Sequence, residues 1–382
     1  TQRTWVVVLL IVAAFYGLLI GLKLARTGSP ASFIVAGERF SEPGVAPIPA
    51  DQILPGVGYD GQFYFRIAIA PWSAAEVEQG MAFDVASYRQ QRILYPLLAY
   101  MTSFGNAART AWMLIAVNFV AVLGVAWMAA RIMNDLNRSV YWGVFVAIYP
   151  GFMFALVRDL TDIVAMFWLL AAIRAHLHGR LGRFSVYMSL AILSRESTVV
   201  IAAAAGVLAL LDVVHRRESA FRNLVSCGIP VLVYASWSSF CTHRWPDSTM
   251  TLAPRIIGIP FHHMLTFFFD RAWRFGAGYG VLWITQALLL LAWLARAGVG
   301  LFRSEAPRIV TAGFVTYVLV VVCMNVWRED VGFLRIFAPA FVLAAFIPAK
   351  PGVESSVFRW MTACWAAWAA ARCFVLAPIY MY

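Results

Sequence analysis

Trp5 to about Leu24 is an apolar stretch of roughly twenty residues, the length needed to cross the hydrocarbon core of a bilayer. Further windows of that kind lie at about 110–130, 141–157, 163–179, 184–194, 198–213, 224–241, 277–295, 309–327, 332–349 and 358–378. A chain that is 62% hydrophobic and 13% charged, with a mean hydropathy of +0.75, cannot hide so much apolar surface inside one water-facing globule. The expected fold is therefore all-α, a polytopic transmembrane bundle of about eleven spans forming a single domain over 1–382. No small-residue cleavage site follows the first stretch, so it is read as a retained span. Window 184–194 is short for a full crossing, which suggests a broken or re-entrant pair.

The loops holding Arg131/Arg138, Arg174/Arg180/Arg183, Arg216/Arg217/Arg222, Arg296/Arg303/Arg308 and Lys350/Arg359 alternate along the chain, which assigns them to the cytoplasmic face. The opposite face then receives a first loop at 25–109, turns at Arg158–Asp162 and Arg195–Ser197, a second loop at 242–276 and the turn Arg328–Arg335. This scheme requires 92–102 to be an interfacial helix, preceded by a partly amphipathic juxtamembrane helix over 74–91 that carries Glu76, Glu78, Asp84 and Arg89 beside Met81, Phe83 and Tyr88.

Within the first loop, Gly58-Tyr59-Asp60-Gly61-Gln62-Phe63-Tyr64 places a carboxylate among aromatic rings. Asp-Gly is a turn signal in which the carboxylate can simply cap its own backbone. Alternatively, an aromatic wall raises the carboxylate pKa and fits it as a general base, with Tyr59, Gln62 and Tyr64 as substrate contacts. Asp51 is the reserve candidate. Asp159 and Asp162 open a span where the helix dipole favours acids; either Thr161 or Asp162 simply caps the helix, or Asp159 or Asp162 accepts a hydrogen bond from a sugar hydroxyl. Arg195 and Glu196 are adjacent, and adjacent helix positions do not face each other, so each is expected to seek another partner. Arg335 pairs either with Glu329 or Asp330 or with a ligand phosphate.

His243, Arg244, Asp247, Arg255, His262, His263, Asp270, Arg271 and Arg274 make the second loop polar. His262-His263 lacks the i, i+4 spacing of helical metal ligands, so no metal site is expected. The five cysteines fall in or beside apolar stretches and read as packing residues. Neither a P-loop nor a dinucleotide fingerprint is present, and no cofactor is expected. The net charge of +11 is almost all arginine, since Lys23 and Lys350 are the only lysines. Guanidinium forks suit phosphate, yet no basic run is interleaved with exposed aromatics, so nucleic acid is a poor partner.

The first-loop Asp60, Arg92-Ile93-Leu94-Tyr95-Pro96-Leu97-Leu98, Ala191 to Ser197 and Leu334-Arg335-Ile336-Phe337-Ala338-Pro339 together resemble the GT-C superfamily of integral-membrane glycosyltransferases. The resemblance covers most of the chain in layout. It implies a polyprenyl-phosphate sugar donor, a glycolipid or glycan acceptor, and transfer with inversion on the non-cytoplasmic face, in a setting that suits a bacterial plasma membrane. Asp60 would take the acceptor proton, and Arg195 and Arg335 would hold the leaving phosphate, followed by Arg66, Arg89, Arg92 and Arg158. A lone acid where many relatives have a pair argues against metal dependence. A lipid transporter or flippase, and a glycan polymerase or ligase, are the rival expectations.

Overall fold

A computed structural model describes residues 2–217, 220–246, 258–270, 273, 276–302, 306–324, 327, 332–348 and 353–375. The described chain is helical apart from one two-stranded hairpin, β1 (Val77–Glu78) with β2 (Met81–Ala82). Helix α1 (Gln2–Thr27) buries Val8, Val12, Tyr16, Leu19 and Lys23, positions spaced four, four, three and four residues apart. That spacing is one stripe of a helix, and it packs on α5 (Ala107–Asp135), while Leu10 and Leu18 on the other side stay exposed. A stripe-buried helix whose remaining surface is also apolar belongs in lipid.

Five described helices are long and apolar enough to cross a membrane: Arg3–Thr27, Ala107–Asp135, Glu196–Val214, Ala220–Arg244 and Gly280–Leu301. The chain is thus an all-helical, multi-pass bundle. Several other apolar windows form shorter helices, as expected for 184–194 but not for the others. Window 163–179 becomes the 16-residue α8 (Asp162–Leu177), 184–194 the 14-residue α9 (Leu181–Ser194), and 309–327 the 15-residue Arg308–Val322. At 1.5 Å per residue these reach roughly 21–24 Å, short of a hydrocarbon core. Windows 141–157 and 332–349 are each broken in two. The first splits into α6 (Trp142–Ala147) and α7 (Pro150–Leu156), with Pro150 beginning the second piece, where the missing N–H costs nothing. The second gives Gly332–Ile336 and Ala338–Phe346, again with a proline near the start of the latter.

Polar contacts hold the breaks. Tyr149 donates its hydroxyl to the Leu334 carbonyl at 2.5 Å, tying one broken pair to the other, and its ring stacks on Phe341 at 4.1 Å. Helix α9 ends at Arg195, which is extended, before a 3-10 turn leads into α10 (Val199–Val214).

Between α1 and α5 lie α2 (Gly61–Ile69), the hairpin, α3 (Ala86–Arg89) and α4 (Leu94–Ser103). The segment 74–91 is not the helix that its spacing of apolar residues suggests. Gln79 and Gly80 both take positive φ, 49° and 72°, and that turn folds the segment into the hairpin instead. Helix α4 covers most of the segment 92–102, which is helical as expected.

Candidate functional site

Asp60 precedes α2, yet its side chain makes no capping bond. Its position is set by close backbone crossings. Gly58 takes φ +64°, and a Cβ there would lie 2.4 Å from the Gly37 nitrogen. Gly61 sits against the turn before α8: a Cβ on it would meet the Arg158 carbonyl oxygen at 2.3 Å and that of Ile34 at 2.7 Å. Val35, at φ 54° an uncommon conformation for a β-branched residue, accepts the Tyr59 N–H at 2.8 Å. We expect Gly61→Ala to push α2 off this turn, costing about 1–3 kcal/mol in stability. Thermal unfolding in detergent checks this, and an unchanged midpoint would show that the turn yields freely.

Freed from capping, each Asp60 oxygen takes a guanidinium. Arg89 Nη1 lies 3.0 Å from Oδ1, and Arg335 Nη2 lies 2.9 Å from Oδ2. The three side chains are 17%, 10% and 8% exposed, respectively. Burial alone would raise the Asp60 pKa, but Arg89, Arg335 and Arg92 outweigh it and hold the carboxyl well below the usual carboxylate range. This corrects the expectation that an aromatic wall raises it. The wall exists, but its rings carry cations: Arg158 lies over Tyr59 at 4.5 Å and Phe154 at 4.3 Å, Arg335 over Tyr59 at 5.5 Å, and Arg89 over Phe63 at 4.5 Å.

Beside this cluster lies a cavity of about 500 Å³ whose wall includes Tyr59, Asp60, Phe63, Asp84, Arg89 and Arg158, with Arg335 behind Asp60. Asp84 grips Arg89 through both oxygens, Nε to Oδ1 at 2.8 Å and Nη2 to Oδ2 at 2.6 Å. Burial lowers the Arg89 pKa and the two carboxylates more than offset it, so this guanidinium stays charged.

The other residues singled out from the sequence fall into three groups. Some tie the first loop together. Gln62 touches the cavity, but its amide accepts from Gly37 N at 3.0 Å and Ser41 Oγ at 3.3 Å and donates to Val57 O at 2.8 Å. Arg66 donates to Ala75 O at 2.9 Å beneath Phe83.

A second group forms a buried anchor between this loop and the α9–α10 break. Arg92 forks onto Glu196 at 2.7 and 2.6 Å, donates to Tyr64 Oη at 2.6 Å, and also bonds Tyr88. Arg195 pairs with Asp162, which is 1% exposed. Arg195 and Glu196 therefore do seek different partners, and each finds a protein group. Asp159 completes a third set: fully buried at φ 49°, it lies 3.5 Å from Tyr95 Oη and within the field of Lys23.

Asp51 is exposed, bonds its neighbour Gln52 and lines a separate pocket of about 230 Å³. Of the second loop, His243 and His262 are exposed, and Arg244 donates to the Trp72 carbonyl. Asp247, Arg255, Arg271, Arg274, Arg328, Glu329 and Asp330 lie outside the described residues.

Two groups carry more weight than their sequence context suggested. Asp84 read only as part of a partly amphipathic juxtamembrane helix. Lys23 is hidden in the first apolar stretch, where its Nζ donates to the Val157 carbonyl at 2.6 Å on the turn that supports Asp60. A single lysine inside a span was the available signal. No family model, curated protein or solved structure matches the chain.

Proposed function

We propose that the protein is a membrane glycosyltransferase of the GT-C kind, moving a sugar from a polyprenyl-phosphate donor to a glycolipid or glycan acceptor on the non-cytoplasmic face. On this reading the short and broken helices complete about eleven crossings, and the Asp60 cavity opens at the outer surface of a bacterial plasma membrane. The observation that carries the reading is one ionised carboxylate, backed by arginines laid over aromatic rings, on the wall of a cavity large enough for a monosaccharide and a phosphate.

The chemistry follows from those groups. The acceptor hydroxyl hydrogen-bonds to Asp60, its oxygen attacks the anomeric carbon, the bond from that carbon to the phosphate oxygen breaks, and the configuration inverts. The leaving phosphate gains negative charge, which Arg335 and Arg158 are placed to stabilise. As Arg335 turns to that charge, Asp60 loses a counter-ion and becomes basic enough to keep the acceptor proton. Such a leaving group needs no acid, so one carboxylate suffices. Arg195 and Arg92 are spent on Asp162 and Glu196, so they act as supports for the cavity in this scheme.

The decisive experiment incubates the purified protein with a panel of polyprenyl-phosphate sugars and acceptors, and looks for released lipid phosphate together with a glycosylated product. The α9–α10 break meets at charged groups, as broken helices of transporters do, which gives the flippase reading a specific footing. Lipid movement across proteoliposomes without any glycosylated product would favour that reading and reject the enzyme.

A further inference from the structure

Asp84 occupies the edge of Arg89 that a phosphate would use. Arg89 offers two forks, and the Nε/Nη2 fork is closed by the two Asp84 oxygens, leaving Nη1 to reach Asp60. Its plane is fixed as well, over Phe63 at 4.5 Å and Tyr88 at 5.4 Å. Asp84 itself is pinned by its own turn, where Oδ1 accepts the Val85 N–H at 2.7 Å. A planar guanidinium so held would bind phosphate bidentately if its fork were open. Instead, a carboxylate 29% exposed on the cavity wall fills it.

We propose that Asp84 is a specificity-determining residue of this cavity, withholding the Arg89 fork from a ligand phosphate and disfavouring prenyl diphosphates relative to singly charged prenyl phosphodiesters. The inference rests on the reading of the cavity as the seat of a lipid phosphate. Its logic is a difference of charge. Removing one negative charge from the wall and opening a fork favours every anion, and favours a more highly charged anion more. Keeping that charge also lets the phosphate product leave.

The test measures binding of geranyl methyl phosphate and geranyl diphosphate, which share one tail, to the full-length protein in detergent by titration calorimetry. Asp84→Asn is expected to gain about tenfold in affinity for the diphosphate and about threefold for the diester. Asp84→Glu should return the ratio to that of the unaltered protein. An unchanged ratio in the Asn variant, or weaker diphosphate binding, overturns the proposal. If Asp84→Asn does not fold, Asp84→Ser carries the same expectation, and failure of both neutral variants while Glu folds overturns it by assigning Asp84 to structure. Absence of sugar transfer with the ratio shifted rejects the enzyme reading and leaves this one standing. Absence of binding by either probe rejects both.

Discussion

Asp60→Asn should lower sugar transfer by about a thousandfold while donor binding is kept or tightened. Loss of a positioned proton acceptor typically costs 10²–10⁴ in rate, which about a thousandfold represents. Donor binding is spared because the amide leaves Arg335 within about 3 Å of a neutral group and able to turn to the phosphate, while Arg89 stays in the grip of Asp84. The expected signature is a fall in kcat with no rise in KM. Turnover like that of the unaltered protein would remove Asp60 from the chemistry.

The same carboxylate sets a pH expectation. Its folded pKa is depressed below the unfolded value of about 3.9, so its contribution to stability is complete above that value and is lost as pH falls through the folded pKa. Transfer by the unaltered protein should therefore stay free of an Asp60 acid limb down to about pH 4. A limb centred near neutrality that disappears in Asp60→Asn would mean that the carboxyl is not held ionised by the arginines before substrate binds.

Helix content and much of the site's location are legible in the chain because both depend on local pattern. Apolar windows become helices, and an acid between two glycines in a polar loop does mark the cavity. What the windows cannot register is where a helix stops inside the apolar layer. At the Tyr149-Pro150 break and before α10, side chains reach groups far away in sequence, Tyr149 the Leu334 carbonyl and Arg195 the Asp162 carboxylate. Segment 74–91 misleads for a related reason: its mix of acids with Met81, Phe83 and Tyr88 suits a partly amphipathic helix, yet the turn at Gln79-Gly80 and pairing with Phe40 and Glu42 give a hairpin. With most of that helix replaced by the hairpin, Asp84 enters the site and binds Arg89, which the short α3 carries. Arginine partners are the least legible feature. Arg92 and Glu196 are 104 residues apart in sequence and Arg335 and Asp60 are 275 apart, separations on which composition is silent.

Asp162→Asn should destabilise the fold by about 3–5 kcal/mol, because it leaves Arg195 charged, 6% exposed and without its carboxylate. Asp162 and Arg195 seemed from sequence to be ligand groups. Their mutual pairing makes them a lock on the α9–α10 break, next to the Glu196–Arg92 fork that holds the loop carrying Asp60. Removing both charges in Asp162→Leu/Arg195→Met should recover much of the loss, since a buried pair exchanged for apolar groups of similar volume is often neutral or better. The two changes must then be strongly non-additive, which a double-mutant cycle on thermal unfolding in detergent measures directly. Stability untouched by Asp162→Asn, with a raised KM for donor instead, would mean that Arg195 faces the ligand. A lock predicts the converse: an earlier unfolding midpoint, and KM unaltered in whatever fraction remains folded. The reason to keep such a pair despite its desolvation cost is geometric, because a guanidinium bound to a fixed carboxylate sets where α9 ends, and through Glu196 and Arg92 sets how closely the Asp60 loop approaches the bundle.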